Sequence, residues 1–468
     1  MPTNMGLGRR DILKIGTNSI VGLGMPTVAA SQVAEHTAVY SRIDAYLHSV
    51  TAIDAHDHLR PFDALWGYVD TDRGRGMNLY SLWNTSYYPW TNRLETWKPG
   101  EAFDEWWGRA KRDFDNARAT TFYRYMLPAF QTLYDVDFDR ITDVQARELD
   151  RRIFQNYKEK RWIEYVVTER SNIELMIIDP YWSRLKYPTA YRFQARNLNT
   201  GSLIGGFHPS EYKDPFNDPY SYARDRNMAV QSLDDYLLVI DSLCREAKEQ
   251  GAVCLTDDDT AYERSLQFDK VPGERAARVF GRKRSELSPQ EIKDFQDFIM
   301  WRLVEFSAHY DLPYQIHTGD GRIQGSSPML LVDMIEANPK TKFVLMHGGF
   351  PWVGETGAIA FEEMYRAKNV WIDSCWLPTI SYTIAKRAFH EWLELVPCDR
   401  ILWGSDLHHA EGIYAATEFT RRCLGEVLAE KVARGDLVEQ HAMQIGKRIM
   451  RDNALEVFPR LKALLWKG

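Results

Sequence analysis

Eight short apolar runs, separated for the most part by stretches whose apolar residues recur every three or four positions, set the first limit on what this chain can fold into. The runs are "TAIDAHDH" (51–58), "IELMIID" (173–179), "YRFQARN" (191–197), "AVCLT" (252–256), "YQIHTG" (314–319), "KFVLMHGG" (342–349), "NVWIDSC" (369–375) and "RILWGSD" (400–406). Between them, segments such as "SLDDYLLVIDSLCREAKEQG" and "SPQEIKDFQDFIMWRLVEFSAHYDLP" carry helical periodicity, with Ser starts and Gly or Pro stops. Strand alternating with helix predicts a parallel sheet. Eight such strands, with no Gly-rich nucleotide loop after the first, fit a closed (β/α)8 TIM barrel better than an open doubly wound sheet. The expected fold class is α/β.

Residues 60–170 break that rhythm. They are rich in aromatic and charged residues, with Trp66, Trp83, Trp90, Trp97, Trp106 and Trp107 close together, followed by the amphipathic "DVQARELDRRIFQNYKEKRWIEYVV". The segment reads as a helical insertion after the first strand. Loops that follow barrel strands open onto the catalytic face, so the insertion is expected to form a lid or wall over the site. Most of its aromatics should pack its own helices, and a few should reach the pocket.

A chain of 468 residues that is 44% hydrophobic and 13% aromatic can bury a large core. Its formal charge of -7, without clustered Lys or Arg, argues against a nucleic-acid partner and leaves small molecules as the expected substrates. At the N-terminus, "GRRDILKIGTNSIVGLGMPTVAAS" pairs Arg9 and Arg10 with a mildly apolar run and then the small residues Val28, Ala29 and Ala30. This resembles a twin-arginine export signal over residues 1–30, with a mature protein of residues 31–468 starting near Ser31 and working in the periplasm or otherwise outside the cytoplasm. The run is too short and Gly-rich to form a stable membrane span. Cys244, Cys254, Cys375, Cys398 and Cys423 are scattered, so neither a disulfide framework nor a thiolate zinc site is written here. Oligomeric state is not legible, and a homo-oligomer is compatible with everything above.

The polar residues at the strand ends form a pattern. His56 and His58 close the first run, His317 lies in "YQIHTG", His347 in "LMHGG" and Asp406 in "LWGSD". In an extended strand His56 and His58 share a face while Asp57 points away. In a barrel all these ends converge on one mouth, which brings five distant residues together. Imidazoles with a carboxylate suit one divalent ion, Zn2+ first, with Mn2+ or Fe2+ as alternatives, whereas Ca2+ and Mg2+ prefer oxygen. A coordination position left to water makes such a site catalytic.

The ordered set of H-x-H, His in "QIHTG", His in "MHGG" and Asp in "GSD" resembles the amidohydrolase superfamily. The likeness is to the branch with aminocarboxymuconate semialdehyde decarboxylase and the amidohydrolase domains fused to glutamine-synthetase-like proteins. It covers residues 50–460 in order and is specific around these motifs. It implies that His56, His58, His317 and Asp406 bind the metal and that His347 acts on the substrate. The length, the insertion and the stretch ending in "YQIHTG" also look like uronate isomerase, a divergent member. One departure concerns metal count. Many binuclear members carry a carbamylated lysine at the end of strand four, where "AVCLTDDDTAY" offers Thr256, so a single ion is expected. Asp257, Asp258 and Asp259 read as loop or helix-capping residues, one of which could support a ligand from behind.

On this reading a metal-activated water hydrolyses an amide, lactone or ester, with Asp406 and His347 as the catalytic pair. Decarboxylation or isomerisation on the same site are the alternatives, and an exported binding protein without catalysis is the reading from another class. Arg196, near the end of the third run, could orient a substrate carboxylate or serve as a mouth salt bridge. Trp352, Trp376 and His408 follow active-site strands and are candidates for substrate binding. His409 is left unassigned.

Overall fold

The computed structural model describes residues 26–186 and 189–465. The twin-arginine motif lies outside these residues. From Pro26 to Ser49 the backbone is a helix, α1, which runs through the expected start near Ser31.

The eight expected strands are present and parallel. They are β1 (Ala52–Asp57), β2 (Ile173–Ile178), β3 (Gln194–Arg196, resumed at Leu198–Asn199), β4 (Leu255–Asp257), β5 (Tyr314–Ile316), β6 (Phe343–Leu345), β7 (Val370–Asp373) and β8 (Ile401–Leu402). Neighbours in sequence are neighbours in space throughout. At the seam between β8 and β1 three backbone hydrogen bonds cross: Ala55 N to Trp403 O (3.1 Å), Asp406 N to His56 O (3.0 Å) and His58 N to Leu407 O (3.1 Å). Gly404 lets the chains meet there, since a Cβ on it would stand 2.9 Å from both His56 N and Cys375 Cβ.

Strands buried on both faces need helices over them. The principal helices are α2 (Leu233–Glu249), α3 (Pro289–Tyr310), α4 (Val353–Tyr365), α5 (Tyr382–Leu395) and α6 (Ala410–Ala433). The Ser starts are structural: Ser232 and Ser288 each make a reciprocal capping box with the third residue of α2 and α3. Inward residues earlier in the strands, among them Ile53, Leu175, Ile177, Val344 and Leu402, form their own apolar cluster with Ala454, Val457, Phe458 and Leu461 near the C-terminus. That cluster fills the barrel end away from the histidines.

Between β1 and β2 lie a small hairpin (Val69–Thr71 with Gly74–Gly76) and a series of short helices, including Leu79–Asn84, Phe103–Ala110, Leu127–Tyr134 and Asp143–Asn156. Trp83 is fully buried and contacts Tyr88, Phe114, Tyr123, Phe130 and Phe138, so most of the insertion's aromatics pack one another. Trp66 and Trp90 differ, remaining 40% and 51% exposed at the mouth of the barrel. Glu411, on the first turn of α6, pins the insertion to the barrel. It accepts hydrogen bonds from Tyr134 Oη (2.5 Å), Tyr157 Oη (2.5 Å) and Trp162 Nε1 (2.9 Å).

Among the described residues no helix is long and apolar enough to cross a membrane.

Candidate metal centre

Among the described residues, three overlapping trios of metal-ligating side chains meet at the mouth, of which two share no member and the third, His58, Asp179 and Asp258, bridges them. The two separate trios are His56, His58 and Asp406, and Asp258, His317 and His347, with the ligand atoms of each trio within 4.8 Å of one another. The trios touch. Asp258 Oδ2 is 3.5 Å from His58 Nε2, Asp258 Oδ1 is 3.8 Å from His56 Nε2, and Asp406 Oδ2 is 3.5 Å from His347 Nδ1. Within them, Asp406 Oδ1 is 3.1 Å from His58 Nε2, Asp258 Oδ1 is 3.2 Å from His317 Nδ1, and His347 Nε2 is 2.9 Å from His317 Nδ1.

Two of the rings are aimed by groups behind them. His58 Nδ1 faces the backbone carbonyl of Asp179 at 3.3 Å, and His317 Nε2 faces that of Gly319 at 3.0 Å, so the other nitrogen of each ring is left free to ligate. Asp179, at the end of β2, is itself held by the Asn199 amide at 2.9 Å. Behind the H-x-H strand, Ser405 donates to Asp54 and lies 2.7 Å from Asp57 Oδ2, and Leu407 N donates to Asp57 at 2.9 Å. The intervening residue of H-x-H thus ties β1 to the loop after β8. Burial raises the Asp57 carboxyl, against the hydrogen bonds from Leu407 and Ser405, which lower it.

The donors fit a divalent ion. His56 is fully buried, and neither of its ring nitrogens has a hydrogen-bond partner, although Nε2 points between Asp258 and Asp406. An imidazole buried without a partner is costly, and an ion at that point would satisfy it. Burial, opposed by Asp258 and reinforced by the His58 charge, lowers His56 to about 4, so it is a neutral ligand near pH 7. Burial alone would raise Asp406, but the hydrogen bond from His58, with the nearby imidazoles of His58, His347 and His56 as they take up protons, holds it well below the usual carboxylate range.

Backbone strain gathers here as well. Tyr87, His347, Trp376 and Asp406 all have φ between 59° and 62°, a region that non-glycine residues seldom occupy. Beside His347, Gly348 is also left-handed (φ 55°), and a Cβ on it would lie 2.6 Å from the Trp392 ring. The "HGG" turn is therefore a backbone requirement as much as a source of a ligand. Tyr87, from the insertion, donates its phenol to Asp406 at 3.1 Å.

The model of the amidohydrolase family matches residues 214–460, more than half of the chain. The chain belongs to the amidohydrolase family. Over 152 residues it is 32% identical to the protein fluG of Emericella nidulans, a match that takes in 31% of this chain and 17% of that much longer protein. Among solved structures it resembles the glucuronate isomerase of Caulobacter crescentus (TM-score 0.67, 14% identity, 91% of this chain and 94% of that one). It also resembles the uronate isomerase of Thermotoga maritima (0.65, 15%, 90% and 97%) and a Lactobacillus casei protein described as a metal-dependent hydrolase (0.62, 15%, 91% and 99%). At such identities the likeness speaks for the TIM-barrel fold.

In this member of the amidohydrolase family, His56, His58, His317, His347 and Asp406 all lie at the mouth; His317 groups with His347 and Asp258, and Asp258 also groups with His58 and Asp179. Of the three consecutive aspartates, Asp257 caps Thr260 (2.9 Å to its Oγ1) and Asp259 pairs with Arg184 at 2.8 Å. Asp258 alone turns into the centre. A triple Asp after a buried strand signals a functional loop, but only the strand's end point selects which member faces inward. Trp376 and His408 line the cavity above the donors, as do Tyr181 and Tyr262, which sequence reasoning missed.

Two expectations need correction. Strand β3 runs to Asn199, three residues late, so Arg196 sits within it on the outer face and reaches toward the Gln250 carbonyl (3.4 Å). Trp352 is carried off by the "HGG" turn to the start of α4 and is not part of the cavity wall.

Proposed function

We propose that this chain is a metal-dependent hydrolase that cleaves a C–N or C–O bond of a small molecule, an amide, lactone or ester. The observation that carries this reading is the Asp406 carboxylate, set among His56, His58 and His347 and bonded to a phenol at the cavity wall. A divalent ion bound at His56, His58 and Asp406, Zn2+ first and Mn2+ or Fe2+ as alternatives, would lower the pKa of a water and polarise the scissile carbonyl. Asp406 accepts the proton of the attacking water and returns it to the leaving nitrogen or oxygen. Tyr87 fixes the orientation of Asp406, leaving its second oxygen toward His347. Asp258, His317 and His347 could hold a second ion, and metal analysis distinguishes one equivalent per chain from two.

Isomerisation is the second reading, favoured by the fold likeness to two uronate isomerases. A uronate carries a carboxylate that a protein cation ordinarily pairs with. Among the described residues the cavity wall contributes no Lys or Arg, which supports hydrolysis instead. The twin-arginine-like N-terminus supports export of the enzyme to the periplasm.

The deciding experiment is mass spectrometry of pooled lactones, amides, sugar acids and aromatic acids incubated with metal-loaded protein, beside a chelator-stripped control. Metal-dependent gain of one water is the expected result. Loss of carbon dioxide, or a retention shift at constant mass, would replace hydrolysis with decarboxylation or isomerisation.

A further inference from the structure

The loop that carries Asp406 is held from two sides. From the barrel, Asp54 accepts from Ser405 N at 3.0 Å and Asp57 from Leu407 N at 2.9 Å, so β1 fixes the residues on either side of Asp406. From the insertion, Thr85 and Tyr87, at the end of the helix Leu79–Asn84, reach the same loop. Tyr87 bonds the Asp406 carboxylate, and Thr85 Oγ1 lies 3.1 Å from His409 Nδ1. Beyond His409, Ala410 N donates to Tyr157 Oη at 3.2 Å. Tyr87 (φ 61°) and Asp406 (φ 59°), the bonded pair, are both left-handed. Such backbone persists at non-glycine residues only where the surrounding contacts over-determine it.

The direction of the Thr85–His409 bond follows from its partners. The Thr85 hydroxyl gives its one proton to Ser81 O at 2.8 Å, so its oxygen accepts and His409 Nδ1 donates. Both side chains are fully buried. His409 Nε2 has no partner among the described residues, and Gly412 leaves the ring its room, since a Cβ there would stand 3.0 Å from His409 Cε1. A buried imidazole with one nitrogen unpaired costs stability that a leucine would not. Neither Thr85 nor His409 lines the cavity or belongs to a trio of possible ligands, so this costly polar pair stands apart from both the substrate's space and the donors.

We propose that Thr85 and His409 are positioning residues: their hydrogen bond locks the turn that carries Tyr87 to the turn that carries Asp406, and so sets where the carboxylate points toward a bound ion. The insertion thereby acts as a clamp on the metal loop. This rests on Asp406 being a metal ligand but not on the reaction that follows.

Three measurements on the full-length chain test it: Zn2+ affinity by competition with a chelator, coordination geometry from the visible absorption of the Co2+-loaded protein, and thermal unfolding of the metal-free protein. Thr85→Val should weaken Zn2+ binding about tenfold and alter the Co2+ spectrum. Thr85→Ser, which keeps the hydroxyl, should return both close to the parent. The double variant Thr85→Val/His409→Leu removes both partners of the buried bond, so it should unfold close to the parent and still bind Zn2+ about tenfold more weakly. Recovery of Zn2+ affinity in the double variant would make the pair a structural contact and overturn the proposal. Parental affinity in Thr85→Val, or a Thr85→Ser protein as weak as Thr85→Val, would overturn it too. Should Thr85→Val not fold, the serine and double variants carry the same decision. Asp406→Asn is the reference. If it binds Zn2+ as the parent does, the metal-centre reading fails and the proposal with it, whereas a weakened Asp406→Asn beside an unchanged Thr85→Val removes the proposal alone.

Discussion

The two ends of the barrel are built from the same strands and could hardly differ more. At the base, Ile53, Leu175, Ile177 and Leu402 meet Val457, Phe458 and Leu461 in an apolar cluster. At the mouth, a few residues further along β1 and β8, His56, His58 and Asp406 are almost as deeply buried, yet polar, and Asp406 and three neighbouring residues carry left-handed backbone. The base collects the gain from apolar burial, and the mouth holds strain and desolvated charge that the rest of the fold must offset. What separates them is position along a strand, since everything past its C-terminal end is free of the sheet's period.

If that division of labour is right, mutations at the two ends should have separable effects. The largest is expected at the mouth. Asp406→Asn should lower turnover by about a thousandfold or more while thermal unfolding, followed by circular dichroism, stays close to that of the parent. A comparable loss of stability would show that the carboxylate serves the fold instead. At the base, Phe458→Ala should cost about 3–5 kcal/mol in urea unfolding, yet leave the rate per folded molecule unchanged. A fallen rate at full folding would mean that the two ends are coupled. Asp258→Asn sharpens the picture of the mouth, because it removes a carboxylate that touches both trios. Metal affinity, measured by competition with a chelator, should fall by about tenfold or more, and an unaltered affinity would return Asp258 to the role of a loop residue.

The smallest effect concerns the joint between barrel and insertion. Burial raises the Glu411 carboxyl above its ordinary value, against the hydrogen bonds from Tyr134, Tyr157 and Trp162, which lower it. Its contribution to stability is therefore complete below the ordinary glutamate range. It is lost as pH rises through that range toward the raised folded value, because the unfolded chain ionises first. Glu411→Gln should flatten this part of the stability–pH profile, and an identical profile in the variant would remove Glu411 from the account.

Much of the site could be read from the chain because a strand end is a local event. His56, His58, His317, His347 and Asp406 each follow an apolar run, and any barrel would bring them together. Arg196 was misplaced for the same reason: the run "YRFQARN" contains aromatic residues that pack ahead of the strand, with Tyr191 stacked on Phe193 at 5.1 Å, so the apparent end came three residues early. Asp258 and Tyr87 were out of reach for different reasons. One of three identical neighbours can be chosen only when the backbone's turn is known, and Tyr87 meets Asp406 across 319 positions of sequence.

By itself, then, the order of residues determined the α/β alternation, the family's motifs and the residue types that gather at the mouth, since periodicity and short motifs are properties of neighbours in the chain. Only the tertiary structure decided that the imidazoles gather around both Asp406 and Asp258, that Trp66 and Trp90 line the cavity, and that Arg196 and Trp352 stay outside it. Those outcomes depend on where a strand stops and which way a side chain then turns. Packing between segments hundreds of residues apart settles both.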